Sequence, residues 1–321
     1  MDEPAPHRAP GMTRVAAIDA GSNAIRFVVA DFDPPASYTV VHRIREPIRL
    51  GHRVFTRGGL DDDTMDRALA AFRLFRREID AYGVEHLRAV ATSATREAEN
   101  RDRFLDRILA ESDIALEPIS GREEARLVHL AVGGRVDLSQ GRWILVDLGG
   151  GSVEVSLVDD TGILWSESYR VGTVRLLETL AEAEGCHDSL LAWVRRQLRP
   201  LTIPPPEAYP GPTAFAATGG NIDEIARLAL SYVDPLKPAI LSLDRLDAVV
   251  HLLSMMTVPE RLHELRLRPD RADVILPAAL VYRHFAEMAG AGRIVVPSVG
   301  VKEGVLLDVA AGVGAWSEHR H

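Results

Sequence analysis

Leu145-Val146-Asp147-Leu148-Gly149-Gly150-Gly151-Ser152-Val153-Glu154 is a short apolar run, an Asp, a Gly/Ser turn and the start of a β-rich run that continues to Val158. The pattern predicts a strand, a tight loop and a returning strand. A second copy stands near the start of the chain as Ala17-Ile18-Asp19-Ala20-Gly21-Ser22-Asn23-Ala24, with Ile25 to Ala30 as its returning strand. Glycine permits positive φ and close approach of a ligand to the backbone, and consecutive N–H groups in such a turn make a concave anion site. A single copy is more often a plain hairpin turn. Two copies, one per half of the chain, predict two similar domains that grip a polyphosphate from both sides, with each Asp holding a metal ion or its water.

Length and composition agree with this. At 321 residues the chain accommodates two domains with proper cores, and 46% hydrophobic and 26% charged residues are typical of a soluble globular protein. No apolar stretch reaches the length of a membrane span. Met1 to Pro10 is polar and Pro-rich, without the apolar core of a signal peptide. The lone cysteine, Cys186, leaves no internal disulfide and is read as structural. These features predict a cytoplasmic protein. The net charge of −9 argues against sequence-nonspecific nucleic-acid binding. An anionic substrate must then be attracted by local groups. All but two of the 37 Lys and Arg residues are arginine, the exceptions being Lys237 and Lys302, so phosphate contacts are expected to be mostly arginine forks.

Along the chain, strands are predicted at 15–18, 25–32, 38–50, 87–91, 114–117, 143–147, 153–159, 163–170, 214–217 and 293–296. Helices are predicted at 61–81, 100–110, 121–133, 173–184, 189–198, from Gly219-Gly220-Asn221 to Leu230, and at 242–256, 272–288 and 303–311. The 61–81 helix puts Met65, Leu69, Phe72, Phe75 and Ile79 on one face. Ser120 and Glu123 have capping-box spacing. Pro277 requires a kink or a first-turn position. Six prolines between Pro200 and Pro212 mark a surface loop or linker. The alternation of strands and helices predicts α/β layers.

Seven segments, in this order and spacing, resemble the exopolyphosphatase/guanosine pentaphosphate phosphatase family of the actin/hexokinase/Hsp70 ATPase superfamily. They are Ala17–Asn23, Ala91–Asn100, Ile119–Arg126, Val146–Glu154, Ala217–Asn221, Arg271–Pro277 and Gly300–Gly304. The resemblance covers roughly residues 13 to 310. It implies an α/β fold of two ribonuclease-H-like (actin-like ATPase) domains with a phosphate cleft between them. The boundaries are a leader at 1–12, a first domain at 13–128 and a second at 129–321, whose final helix packs back on the first. Members hydrolyse the terminal phosphate of inorganic polyphosphate, or the 5′ γ-phosphate of pppGpp, using Mg²⁺. The chain looks like the short form, without the C-terminal helical domain of longer relatives, and a homodimer is expected.

The resemblance also implies roles. Glu124 is the base that activates water, whereas in bare sequence it reads as an ordinary first-turn Glu. Glu123, about 100° round the helix, reads as a cap. Glu154 lines the site and positions metal or water. Asp19 and Asp147 hold Mg²⁺. Arg96 grips a phosphate, and Gly21, Ser22, Asn23, Gly149, Gly150, Gly151, Ser152, Gly219, Gly220, Asn221 and Lys302 bind phosphate. Two departures stand out: Ala24 occupies a position where the family usually has a hydroxyl residue, and Lys302 one where it has Arg. The same motifs leave open a pppGpp phosphatase and a non-catalytic polyphosphate or nucleotide sensor.

Overall fold

The computed structural model describes residues 11–33, 37–182, 190–205, 208, 213–230, 233–234 and 236–318. The Met1–Pro10 leader, Cys186, the start of the helix predicted from Ser189 and part of the proline segment lie outside the described residues. The chain divides into two compact units. One takes the residues up to Ser120 and those from Val301 onward, the other Gly121–Gly300.

The first unit contains β1 (Thr13–Ala20), β2 (Ile25–Asp33), β3 (Ser37–Glu46), α1 (Val54–Arg57), α2 (Asp62–Tyr82), β4 (His86–Ala91), α3 (Ser93–Glu97), α4 (Arg101–Ser112) and β5 (Leu116–Pro118). Its sheet runs β3-β2-β1-β4-β5. β1 and β2 form an antiparallel hairpin, and β4 pairs parallel with β1. β1 is buried along almost its whole length, as expected of a central strand covered on both faces. On one side lies α2, which starts with Asp61 accepting a hydrogen bond from the Thr64 amide and buries the predicted stripe of Met65, Leu69, Phe72, Phe75 and Ile79. Phe75 stacks on Phe27 at 5.1 Å and meets Phe72 edge-on at 5.7 Å.

The second unit contains α5 (Gly121–Gly133), β6 (Arg142–Leu148), β7 (Val153–Asp159), β8 (Gly162–Tyr169), α6 (Thr173–Glu182), α7 (Leu190–Leu198), β9 (Thr213–Thr218), α8 (Gly220–Ala229), β10 (Ala239–Ser242), α9 (Leu243–Met255), α10 (Val258–His263), α11 (Pro269–Ala272), α12 (Ile275–Met288) and β11 (Arg293–Val296). Its sheet runs β10-β11-β9-β6-β7-β8. β6 and β7 repeat the antiparallel hairpin, and β9 pairs parallel with β6, as β4 does with β1. The last helix, α13 (Val301–Glu318), belongs to the first unit and packs on β1, β2 and β4.

Several elements differ from the sequence reading for identifiable reasons. The division between units falls after Ser120 and not after residue 128, because α5 lays its apolar stripe on β7 and β8. The helix expected over 272–288 is two helices, α11 and α12, and Pro277 sits in the first turn of α12, where its missing N–H costs nothing. β3 ends at Glu46, and the expected strand beyond it is an irregular segment through Leu50. The short edge strand β10, with Ile240 exposed, carried no readable pattern. No helix among the described residues is long and apolar enough to cross a membrane.

The aromatic stack under β2 gives a direct stability test. Replacing fully buried Phe75 by Ala should cost about 3–5 kcal/mol in urea unfolding. A loss below about 1 kcal/mol would mean that this stack does not organise the first core.

Candidate active site

The two predicted hairpins are closed by the same bond. Gly21 N–H donates to the Ala24 carbonyl at 3.1 Å, and Gly149 N–H donates to the Ser152 carbonyl at 3.0 Å. Ala24, the departure from the family pattern, is buried and serves the turn through its backbone. The glycines are not required by handedness: Gly21, Gly149, Gly150 and Gly151 are all absent from the positive-φ positions. Close packing fixes Gly172 beside the second turn. A Cβ at Gly172 would fall inside contact distance of the Gly150 and Gly151 backbones. The amides of Thr173 and Val174 donate to the carbonyls of Gly149 and Gly150, at 3.1 and 2.8 Å, and Arg175 Nε donates to the Gly151 carbonyl at 2.7 Å. In a trans peptide the carbonyl and the next N–H point in opposite directions. The amides of Gly150, Gly151 and Ser152 therefore face away from α6, as an anion cradle requires.

The hairpin register then places side chains. In the second unit Thr218 on β9 pairs with Asp147 on β6, Asp147 with Glu154 on β7, and Glu154 with Ser168 on β8. Cross-strand partners share a face of the sheet, so the four form one row. Its two carboxylates stand side by side, with a hydroxyl at each end. Thr218 Oγ1 donates to Asp147 Oδ1 at 2.6 Å, and Ser168 Oγ donates to Glu154 Oε1 at 2.8 Å. Asp147, Glu154 and Thr218 are buried. Behind the row, the fully buried Tyr282 donates its hydroxyl to the Thr218 carbonyl at 2.7 Å. Burial, then the charges of Asp147 and Asp223, hold this phenol well above its ordinary pKa, so it remains a donor.

Glu124 comes to the same region on α5. The helix buries Glu124, Ala125, Leu127, Val128, Ala131 and Val132, so an acid occupies the first position of an otherwise apolar stripe. Such a break in local pattern is expected at a functional position. Glu123, one residue earlier, is partly exposed and pairs with Arg126 at 2.7 Å. A Cβ on Gly121 would lie 2.5 Å from the Ser168 side chain and 3.5 Å from Glu154 Oε1. The N-terminus of α5, which favours negative charge, thus abuts Glu154.

Gly219 is the one predicted phosphate-site glycine with positive φ, at 100°. Its Cβ would lie 2.9 Å from the Leu148 carbonyl and 3.6 Å from Asp147 Oδ1. Gly220 opens α8 behind it, and buried Asn221 accepts a hydrogen bond from Arg271 Nη1 at 2.9 Å. Asp147, Gly149–Ser152, Glu154, Gly219–Asn221 and Glu124 all belong to the second unit, where the structure joins them with Ser168, Gly172 and Thr218.

The first unit holds Asp19, Gly21, Ser22, Asn23, Arg96 and Lys302. At the register position that Glu154 occupies opposite Asp147, Arg26 stands opposite Asp19 and donates to it at 3.1 Å. Burial pushes the Asp19 carboxyl up, and Arg26 and Lys302 pull it back. Ser22 is buried, accepts from the Ala94 amide at 3.2 Å and meets Ser93 Oγ at 3.0 Å, tying the hairpin to α3. Asn23 Oδ1 accepts from Arg49 Nε at 2.9 Å. Half-buried Arg96 donates from one nitrogen to the Ile119 carbonyl at 2.6 Å. Lys302 pairs with Glu303 at the start of α13.

The sequence reading missed Ser168, Gly172, Arg26 and Arg49. Only strand register and loop packing bring them to the site. The one available signal was the hairpin itself, since its closing bond fixes which residue lies opposite each Asp.

Two α/β units, each built on a phosphate-type hairpin and a mixed sheet, define the actin-like ATPase fold, and solved structures bear this out. An exopolyphosphatase from Cytophaga hutchinsonii matches with a TM-score of 0.86 and 26% identity over 94% of this chain and 98% of that one. A Ppx/GppA family member from Aquifex aeolicus matches with a TM-score of 0.75 and 25% identity over 97% and 99%. In sequence, the chain is 30% identical over 318 residues to Exopolyphosphatase 2 of Mycobacterium tuberculosis, covering 93% of this chain and 99% of that protein. The Ppx/GppA phosphatase family model matches residues 28–311, and the chain belongs to that family.

The packing of Gly172 on the second hairpin is open to test. Gly172→Ala should lower the melting temperature by several degrees and abolish phosphate binding. Gly133→Ala, whose Cβ would meet nothing nearer than 3.7 Å, should leave both unchanged. Equal behaviour of the two variants would contradict the close-packing role.

Proposed function

We propose that this protein is an exopolyphosphatase, hydrolysing the terminal phosphoanhydride bond of inorganic polyphosphate with water activated by Glu124. The observation that carries the reading is the acid placement in the second unit. Asp147 and Glu154 form a carboxylate pair beside the glycine cradle, and Glu124 follows within the first turn of the helix that abuts Glu154. The relatives' names, which speak of exopolyphosphatases, point the same way.

The chain's own groups divide the work. Amides of Gly150, Gly151 and Ser152 hold phosphate oxygens and orient the terminal phosphorus. Ser168 fixes one oxygen of Glu154 and Thr218 one oxygen of Asp147, so both carboxylates are held in position. Glu124 takes a proton from the attacking water as its oxygen bonds to phosphorus and the bridging P–O bond breaks. A carboxylate positioned within hydrogen-bond reach of the attacking water suits this task. In the first unit the hairpin amides and Arg96 bind phosphate through charge and hydrogen bonds.

Magnesium fits the carboxylate pair. Among the described residues no group of three or more His, Cys, Asp or Glu gathers to hold a metal. Mg²⁺, however, is ordinarily held by one or two carboxylates, with phosphate oxygens and water completing six positions. Like charges opposite one another in a sheet are unfavourable, and a divalent cation held by Asp147 and Glu154 would relieve that cost. When bound, it would neutralise charge on the phosphoryl oxygens. Asp19 is ion-paired to Arg26 at 3.1 Å, and Lys302 adds an electrostatic attraction.

Two experiments test this reading. Glu124→Gln should lower kcat for phosphate release from polyphosphate by at least about 10²-fold with an unchanged melting temperature; near-normal turnover would remove Glu124 as the base. Magnesium should raise the melting temperature of the wild type. Glu154→Gln should be more stable than wild type in EDTA and gain nothing from magnesium. An equal magnesium response in both would exclude the carboxylate pair as the metal site.

A further inference from the structure

The first unit carries a cavity of about 470 Å³. Arg49, His52, Arg53 and Arg67 line it, together with Asp61 and Asp63. Three permanent positive charges thus face two negative ones. Asp61 caps α2 by accepting from the Thr64 amide at 2.8 Å, and its carboxylate also feels the charge of Arg53 and His52. A site of mixed sign with an arginine excess, on a protein of net charge −9, is a local exception to the global field.

The cavity is built onto the phosphate hairpin. The wall segment Ile48–Gly51 is stitched to the turn by two bonds. Gly51 N–H donates to the Ser22 carbonyl at 2.8 Å, and Arg49 Nε donates to Asn23 Oδ1 at 2.9 Å. Buried Ile48 and Leu50 anchor the segment in the core. A Cβ at Gly51 would lie 2.7 Å from the Phe55 ring and 3.1 Å from the Ser22 carbonyl, so the segment approaches the turn as closely as backbone allows. The next residue but one, Arg53, holds φ of 61°, a left-handed conformation uncommon for arginine. That backbone starts α1 and carries an exposed arginine on the cavity wall. Arg67 stands on the facing side, on α2, and donates weakly to the Pro47 carbonyl at 3.5 Å.

We propose that this cavity is a distal subsite for condensed phosphate, where Arg53 and Arg67 hold phosphates of a polyphosphate chain beyond those bound at the Ser22–Asn23 turn. The inference rests on the exopolyphosphatase reading. Its chemistry is that of arginine forks on phosphate oxygens, with Arg49 bridging the turn and the cavity. Such a subsite acts on chain length: a long substrate reaches it and a short one does not.

The test compares wild type with the double variant R53A/R67A on long-chain polyphosphate and on tripolyphosphate. The ratio of kcat/KM for the long chain over tripolyphosphate should fall roughly tenfold in the variant, through KM. R103A, which removes an exposed arginine paired with Asp62, should leave the ratio unchanged. An unaltered ratio in R53A/R67A, or an equal fall in R103A, overturns the subsite. Binding of long-chain polyphosphate measured by titration calorimetry in EDTA separates this claim from the catalytic one. Weaker binding by R53A/R67A supports the subsite even if the wild type releases no phosphate, whereas equal binding refutes it even if catalysis is as proposed.

Discussion

Two buried carboxylates opposite each other on adjacent strands are the constraint around which the second unit is arranged. Asp147 and Glu154 are cross-strand partners because the hairpin between them closes through Gly149 N–H and the Ser152 carbonyl. A sheet does not place like charges side by side without cause. The surroundings supply donors to both: Thr218 to Asp147 and Ser168 to Glu154, with Tyr282 fixing the Thr218 backbone. Gly121 then brings the N-terminus of α5 against the Ser168–Glu154 pair. This row contributes little to the hydrophobic core, which lies on the sheet and helices behind it.

The same hairpin in the first unit has the opposite electrostatic sense. Arg26 occupies the position equivalent to Glu154 and forms an ion pair with Asp19. One backbone device therefore carries two charge patterns, set by one side chain on the returning strand: acid opposite acid in the second unit, and base opposite acid in the first. This difference separates two copies that are equal as motifs. It also explains why Asp19 and Asp147, which the motif alone treats as twins, part company once their cross-strand partners are known.

Much of this was legible in the sequence. The doubled Asp–Gly hairpin, the α/β alternation and the stripe of α2 follow from local pattern, whereas Glu124 was singled out only by the family resemblance of its motif. What was not legible depended on distant partners. Ser168 looks like any strand serine until register sets it opposite Glu154. Gly172 looks like a spacer until the second hairpin packs on it. The glycines of the turns suggested positive φ, but only Gly219 among the glycines read as phosphate-binding has it. Helix α5 was divided from its unit because a boundary depends on what a helix packs against, and its apolar stripe alone does not name its partner.

The most direct measurement is orthophosphate release from long-chain polyphosphate in the presence of magnesium, run beside pppGpp at equal concentration. The account predicts steady release from polyphosphate at a kcat/KM above that for pppGpp. Release from pppGpp alone would contradict the assigned substrate. Release from neither, with polyphosphate still bound, would contradict the hydrolytic role of the acid row and leave a binding protein in its place.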